Sequence, residues 1–176
     1  MRWNLSVAAA IAVGAACVCG PLYAKPLAKS AHGKPAVQSI EVIAFGPEGT
    51  LLIGDGLSNS VFAVATGEKA SAARFAGKIE DVAGKLAATI GAKADGIEIL
   101  DLAVNPVSNT VYFAVRKQDD KQPVLLTLKA DGSIGLFSLE SVEYARVALK
   151  TGTTKSKVSD VAWADDKLIA SVGTEG

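Results

Sequence analysis

The feature that most constrains this chain is an internal repeat in which two apolar strands flank a turn. The repeats lie at residues 42–53, 101–113 and 160–170. An alanine occupies the middle of the first strand each time, at Ala44, Ala103 and Ala162, so the two intervals are equal. Equal spacing argues against accidental similarity, because self-similarity at a fixed period is typical of repeat architectures.

Turn and strand chemistry predicts that each repeat begins with a β-hairpin. In the first, Gly46-Pro47-Glu48-Gly49 joins the two strands, because proline presets φ at the second turn position and glycine tolerates positive φ. Valine, isoleucine, leucine and aromatic residues dominate the flanking segments, and these residue types favour strands. A third strand follows in the first two repeats, at residues 60–65 and 124–128.

A repeat of this length suits one four-stranded blade of a β-propeller plus an insertion. We therefore expect an all-β fold of β-propeller blades with a period of about 59 residues and one short helical insertion. Small alanines suit inner strands that converge on the axis of a propeller. An open sandwich of alternating strands is the alternative architecture.

The repeats comprise two blades and the start of a third. An open stack of blades leaves strand edges and an apolar face unpaired. We therefore expect the chain to be an N-terminal fragment of a longer protein, with a small, complete β domain as the alternative.

One amphipathic helix is predicted in the first repeat, over Lys78–Gly91. Five apolar residues recur there at helical spacing on one face, and Gly91 is a suitable C-terminal cap. They are Ile79, Val82, Ala83, Leu86 and Ile90. We expect this face to pack on its own domain, with a partner-binding helix as the alternative. The corresponding segment of the second repeat, residues 136–156, predicts no helix.

Residues 1–24 have the three-part pattern of a cleavable secretory signal peptide. Arg2 gives a basic start, residues 5–18 are apolar, and Ala24 is a small residue at the expected cleavage site. The apolar run is shorter than the roughly 20 residues that a membrane span needs, which disfavours an uncleaved anchor. We expect a signal peptide at 1–24, a flexible tether at 25–38, and β-propeller repeats at 39–176.

Cleavage would remove both cysteines, Cys17 and Cys19. The mature chain would then have no disulfide, thiolate metal site or cysteine nucleophile. Export without disulfides suits a bacterial periplasm, and we expect a periplasmic, extracellular or cell-surface location. Only Arg2 is lost from the charged side chains, so basic and acidic groups remain nearly balanced and no net charge favours nucleic acid or anionic lipid.

Two segments carry a resemblance to known propeller families. Residues 43–55, followed by 59–64, resemble a blade of the NHL and gluconolactonase-like propellers, with an apolar strand, a turn like "P-D-G-x-L" and a strand ending in Gly54-Asp55. Residues 102–106 and 109–114 resemble the "Y-V-T-N" type of secreted propeller repeat. The resemblance implies the fold more than the function, because such blades serve enzymes, binders and scaffolds alike.

The resemblance also implies a metal site to look for. Gluconolactonase-like enzymes hold calcium or zinc with a Glu, Asn and Asp set, and only isolated positions such as Glu41 and Asp101 match it. Quinoprotein propellers carry a Trp-rich docking motif, whereas Trp163 is the one tryptophan after the predicted signal. A metal-dependent hydrolase or lactonase is therefore the alternative to a binding or scaffold module.

Asp101 and Asp160 are the candidate metal ligands, because they share one position in the repeat, two residues before the alanine. Carboxylate oxygens bind hard cations such as calcium or another divalent ion. An aspartate at a strand start more often accepts backbone N–H bonds and ties one blade to the next. We favour the structural role and expect no cofactor.

No catalytic residue is predicted. His32 lies in the tether without a cysteine or second histidine, and Ser58 and Ser159 have no folded histidine to activate them. The pairs 119–120 and 165–166 are predicted solvated turn tips. We expect an unknown protein or small-molecule ligand at the blade loops, above all at the insertions after each third strand, with no nucleic acid and no membrane span after cleavage.

Overall fold

The computed structural model describes residues 27, 29–149 and 156–174. The predicted signal peptide lies outside the described residues. Within them the chain forms eleven strands and one α-helix, α1 (Val82–Thr89). The strands are β1 (Ala31–Gly33), β2 (Val42–Phe45), β3 (Thr50–Asp55), β4 (Ser60–Ala65), β5 (Ile97–Val104), β6 (Val111–Lys117), β7 (Pro123–Leu128), β8 (Ile134–Phe137), β9 (Val142–Ala148), β10 (Ser156–Ala164) and β11 (Lys167–Thr174). Short 3-10 turns lie at Pro47–Gly49 and Ala94–Gly96.

The strands form two antiparallel sheets and a separate hairpin. Sheet 1 has the strand order β1-β9-β4-β3-β2, and sheet 2 has the order β5-β6-β7-β8. Strands β10 and β11 pair only with each other among the described strands. The expected all-β class with one short helix is therefore confirmed.

The sheets stack face to face, and a hydrophobic core lies between each pair of layers. Between sheets 1 and 2, Leu51 and Phe62 pack with Tyr112 and Leu125. On the other face of sheet 1, Leu52 packs with Val158 and Val161 of the β10–β11 hairpin, as part of a second cluster. The layer order is thus hairpin, sheet 1, sheet 2.

Helix α1 covers the face of sheet 2 that points away from sheet 1. Its Leu86 is fully buried against Phe113 and Leu126, and Ile79 and Ile90 pack beside them. The prediction that this helix packs on its own domain is confirmed. Within the described residues, no helix has the length and apolar character needed to cross a membrane.

Helix α1 begins at Val82 rather than at the predicted Lys78. The reason is Asp81, whose φ is 53° and whose Oδ1 accepts a hydrogen bond from the Gly84 N–H at 3.0 Å. A side chain that caps the first turn in this way ends the preceding irregular segment. Gly91 has φ of 69° just after the helix, in agreement with its predicted role.

The predicted hairpins are all present, and two of them share an irregularity. Pairing shifts between Ile99 and Asp101 in β5 and between Val158 and Asp160 in β10, which marks a β-bulge in each strand. In the third hairpin, Asp165 and Asp166 have φ of 50° and 56°. Two central residues at positive φ are typical of a type I′ turn, so this predicted turn tip is confirmed.

The order of the layers differs from the expected sequence of blades. Strand β2 packs against both β5 and β10, so the third repeat lies beside the first on the side away from the second. The chain leaves sheet 2 after β8, and the next strand, β9, pairs with β4 as the fourth strand of sheet 1 counted from β2. The chain therefore approaches β10 from sheet 1, and the described residues do not close into a ring.

The predicted tether at 25–38 contains a strand. Residues 31–33 form β1, which pairs antiparallel with the edge strand β9. The Ser30 hydroxyl donates to Glu143 Oε1 at 2.5 Å, and Lys34 pairs with Glu140 at 2.6 Å. A sheet edge has unpaired backbone groups that accept a further strand, and sequence composition alone does not reveal that edge.

Asp55 holds residues 38–39, the segment that leads into β2, against sheet 1. Its side chain is fully buried and accepts hydrogen bonds from the backbone of four residues and from one hydroxyl. The donors are Gln38 N, Ser39 N, Leu57 N, Ser58 N and Ser39 Oγ, at 2.7 to 3.1 Å. A buried carboxylate needs such bonds to offset its lost hydration, and these bonds hold residues 38–39 against the β3–β4 turn.

Candidate functional site

Asp101 is placed as a link between the two sheets. Its Oδ2 accepts a hydrogen bond from the Ile43 N–H of β2 at 2.8 Å, and its Oδ1 accepts one from the Leu102 N–H at 2.8 Å. Asp160 lies at the same position of β10, and its Oδ1 accepts from the Val161 N–H at 2.8 Å. Both aspartates thus bond to backbone, and Asp101 ties sheet 2 to sheet 1.

The structure assembles no metal centre among the described residues. In that part of the chain, no three histidine, cysteine, aspartate or glutamate side chains come together as a metal ion would require. Glu41 contacts Gly56 near the β3–β4 turn, at the entry to β2, while Asp101 is committed to the backbone of Ile43 and Leu102.

The Asp119-Asp120 pair lies at an exposed turn, as predicted. The Lys117 ammonium lies 3.2 Å from an Asp120 carboxylate oxygen and 3.9 Å from one of Asp119. A hydrogen bond from the Gln122 backbone, and then the nearby lysine, lower the pKa of Asp120 below its usual range. This is the behaviour of a solvated turn in which the Asp120 carboxylate stays charged.

The remaining residues considered for chemistry are apart from one another. His32 lies opposite Glu143 in the β1–β9 pair and borders a shallow cavity of about 470 Å³. Ser159 Oγ is 2.9 Å from Ser171 Oγ in the hairpin. Ser58 lies in the β3–β4 turn, and its buried hydroxyl oxygen has no hydrogen-bond partner within the described part of the chain.

A polar network that the sequence did not predict lies at one end of the two sheets, which we call the loop end. It carries the turns at 46–49, 105–110 and 129–133 and the segment after β4. Asn105 is fully buried there, and its Nδ2 donates to Thr66 Oγ1 at 3.3 Å and to Glu68 Oε2 at 3.2 Å. Its Oδ1 accepts from the Val107 N–H at 2.9 Å, which shapes the β5–β6 turn.

Gly49 makes room for this asparagine. A Cβ at Gly49 would lie 2.9 Å from Asn105 Oδ1, and the glycine has φ of 70°. Its carbonyl accepts a hydrogen bond from Thr66 Oγ1 at 3.0 Å. The β2–β3 turn, the β5–β6 turn and the start of the insertion are therefore joined through one buried amide.

Glu68 is the acceptor at the centre of the network. Tyr112 donates its hydroxyl to Glu68 Oε1 at 3.1 Å, and the Ser108 hydroxyl donates to Oε2. Burial and then the Glu68 charge raise the pKa of Tyr112 well above its ordinary value. The Tyr112 ring is fully buried and meets Phe45 and Phe137 edge-on, with centroids 5.2 and 5.3 Å away. The tyrosine therefore remains a neutral donor that fixes one face of the carboxylate.

A cleft of about 370 Å³ opens above this network. It is lined by Glu68, Lys69, Ser71, Ser108, Thr110, Lys129, Ala130 and Asp131. Lys69, Lys129 and Asp131 are exposed, and a hydrogen bond from the Ser133 hydroxyl lowers the pKa of the Asp131 carboxyl. The cleft therefore combines two ammonium groups, two carboxylates and three hydroxyl groups in one polar surface.

The loop after β4 is held over the β5–β6 turn by its backbone. The Ser71 N–H donates to the Val107 carbonyl at 2.9 Å, and Asn109 Nδ2 donates to the Ser71 carbonyl at 2.6 Å. The insertion after the third strand thus forms one wall of the cleft, and the turn after β7 forms the opposite wall.

The sequence pattern does not reveal Glu68, Asn105 and Tyr112 as a group, because 37 and 44 residues separate the glutamate from its two partners. One signal is available. Asn105-Pro106 is typical of a turn, and an asparagine at a turn bonds the backbone two residues on. The partner of its side-chain amide depends on the packing of the two sheets.

No known protein family, no curated protein and no solved structure matches this chain.

Proposed function

We propose that this protein is an exported binding module of the β-propeller type, which holds a small polar ligand in the loop-end cleft. The observation that carries the proposal is the cleft itself. Its walls come from the two segments that follow the third strand of each repeat, and its floor is a fully bonded polar network. Loops on a rigid scaffold are the usual location of binding residues.

The propeller interpretation is supported by equivalent features at equivalent positions. The β-bulges of β5 and β10 precede Asp101 and Asp160, which occupy the same position in successive repeats. The inner strands β5 and β10 each lie beside β2, one on either side of it, as the inner strands of neighbouring blades do. Sheet 2 is a four-stranded antiparallel meander, which is the composition of one blade.

The lining of the cleft indicates the chemistry of the ligand. Lys69 and Lys129 provide positively charged hydrogen-bond donors, and Asp131 provides a negatively charged acceptor. Ser71 and Thr110 add hydroxyl groups, which can donate or accept. The carboxylate of Glu68 is already engaged by Tyr112, Ser108 and Asn105, so it shapes the cleft more than it is free to bind. A small zwitterion or a hydroxyl-rich molecule matches this surface.

A thermal-shift screen tests the proposal. The protein is heated with amino acids, monosaccharides and short dicarboxylates, and with calcium chloride as a separate arm. A ligand present at 100 times its Kd adds about 2.7 kcal/mol of stability, which is easily detected as a higher Tm. We expect a hit whose shift is lost in Lys129→Ala and retained in Lys121→Ala, a matched variant at the opposite end of the sheets. The absence of any hit, or a shift that survives Lys129→Ala, contradicts the proposed site.

The export prediction has its own test. The full chain is expressed in a bacterium, and the mass and N-terminal residue of the protein in the periplasmic fraction are determined. We expect a chain that begins at Lys25. Retention of residues 1–24 on the purified protein would overturn the signal-peptide assignment.

A further inference from the structure

Each repeat has an inner strand with two chemically different faces. In β2, Ile43 and Phe45 point to the core shared with sheet 2, while Val42 and Ala44 point to the hairpin. We call the first the forward face and the second the back face. The repeat that relates Ala44 to Ala103 and Ala162 assigns two residues of each later inner strand to the forward face. They are Leu102 and Val104 in β5, and Val161 and Trp163 in β10.

Two of the three forward faces are covered, and each is covered in the same way. The forward face of β2 packs on the back face of β5, which carries Leu100 and Ala103. The forward face of β10 packs on the back face of β2: Val161 belongs to the same core as Ala44, and the Trp163 ring lies against Gly46. The stack of hairpin, sheet 1 and sheet 2 is thus head-to-tail, with large side chains on alanine-bearing faces at both interfaces.

One forward face and one back face remain uncovered. On the forward face of β5, Ile99, Leu102 and Val104 are 39%, 55% and 51% exposed, although α1 covers the neighbouring strands of the same sheet face. On the back face of the hairpin, Ala162 is exposed and its cross-strand partner Ile169 is 53% exposed. These two surfaces have the same composition as the pairs that already meet inside the chain.

We propose that the forward face of β5 binds the back face of the β10–β11 hairpin of a second copy of this chain. Continuity with the two internal interfaces identifies the occupant, because the open surfaces repeat the forward and back faces that pack within one chain. In this dimer Asp160 would face sheet 2 of the partner, just as Asp101 faces sheet 1 within one chain. This proposal rests on the propeller arrangement but not on the loop-end cleft.

A second copy bound in this way would allow the assembly to close. A head-to-tail interface generates a ring when the rotation closes and an open polymer when it does not. With the two-stranded hairpin counted as one unit, the described residues of two copies would supply six stacked units, which is within the four to eight blades of closed propellers. The dimer would have no exposed apolar inner face, and this removes the liability of the isolated stack.

The first experiment measures the oligomeric state of the full chain by sedimentation and light scattering over a range of concentrations. We expect the mass of two copies. Leu102→Glu and, independently, Ile169→Glu should each raise the dimer dissociation constant at least tenfold, because each places a charge in an apolar contact. Leu57→Glu is the matched control, since Leu57 is 60% exposed in the β3–β4 turn and lies on neither face. Circular dichroism confirms that each variant is folded.

The second experiment tests the head-to-tail geometry with a short bismaleimide. Facing sheets lie about 10 Å apart, which is too far for a disulfide but suits a linker of this kind. In a background with Cys17 and Cys19 replaced by serine, Leu102→Cys and Ala162→Cys chains are mixed. We expect crosslinks between the two kinds of chain and few within either kind, with a Leu57→Cys and Ala162→Cys mixture as the control.

Several results would overturn the proposal. They are a monomer at every concentration, an open polymer, a dimer that both glutamate variants leave intact, and crosslinking of Leu102→Cys chains chiefly to each other. In a chain that carries both Leu102→Cys and Ala162→Cys, crosslinking within the chain would show that its own hairpin covers β5. None of these outcomes affects ligand binding at the cleft, which the thermal-shift screen measures separately.

Discussion

Replacing Asp101 tests whether this aspartate is a tie between sheets or a metal ligand. Asp101→Ala removes two hydrogen bonds to backbone N–H groups, at Ile43 and Leu102. Ile43 is 4% exposed, so water does not readily replace the lost acceptor at its N–H. A hydrogen bond to a charged group contributes about 1.5–3 kcal/mol, and the Leu102 bond is local and partly replaceable.

We therefore expect Asp101→Ala to lower the free energy of unfolding by about 2–4 kcal/mol, and Asp101→Asn by about 1–2 kcal/mol because the amide oxygen retains one acceptor. In a chain of this size each kcal/mol lowers Tm by about 2–4 °C. Asp119→Ala is the matched control, because Asp119 is exposed and its carboxylate accepts a hydrogen bond from the adjacent Asp120 N–H at 2.8 Å. Its expected cost is below about 1 kcal/mol.

The assay is urea unfolding followed by circular dichroism, with and without calcium chloride. Equal costs for Asp101→Ala and Asp119→Ala would refute the tie between sheets. Calcium that stabilises the wild type, and fails to stabilise Asp101→Asn, would establish the metal role instead. An unchanged m-value is required for either conclusion, since a change in m means that the compactness of one state has changed.

Two further predictions follow from close packing and from the buried tyrosine. Gly54→Ala should lower Tm, because the new Cβ would lie 2.6 Å from a Val42 methyl group and 3.0 Å from a Val158 methyl group. Gly135→Ala in β8 is the control and should change Tm little, because a Cβ there meets only ordinary contacts. Equal Tm shifts for the two variants would contradict this account of the packing between β3 and the hairpin. Burial and Glu68 raise the pKa of Tyr112 in the folded state, so its neutral form contributes stability that is lost as the pH rises above the unfolded value of about 10. Tyr112→Phe should therefore lose less stability than the wild type between pH 9 and roughly pH 11.5, as followed by urea unfolding, and parallel pH profiles would show that the tyrosine is not the cause.

Local chemistry was sufficient to predict many elements. Residues 60–65 form β4 with the predicted bounds, because a short continuous apolar run between turn signals can be recognised without distant information. The turn at Asp165-Asp166 and the cap at Gly91 followed from backbone preferences of single residues. The hydrogen bonds of Asp101 to backbone N–H groups were also predictable, because an aspartate at a strand start has such groups within reach.

The start of α1 and the strand in residues 31–33 required more than composition. Asp81 adopts a left-handed conformation and delays the helix by four residues relative to the predicted start. Residues 31–33 are polar or small, and they become a strand only because β9 provides an edge beside them. In both places a specific neighbour decides the conformation, and that neighbour is not encoded in local propensity.

Local sequence patterns are enough to predict an all-β chain of repeated hairpins with an alanine in the first strand of each. Runs of strand-forming apolar residues and turn chemistry act between residues close in sequence, so they can be recognised without a structure. Contacts between distant parts of the chain place β9 in sheet 1, pack the third repeat on the first, and bring Glu68 to Asn105 and Tyr112. These outcomes depend on which of several similar apolar faces and open edges come together, and that choice depends on packing across the whole molecule.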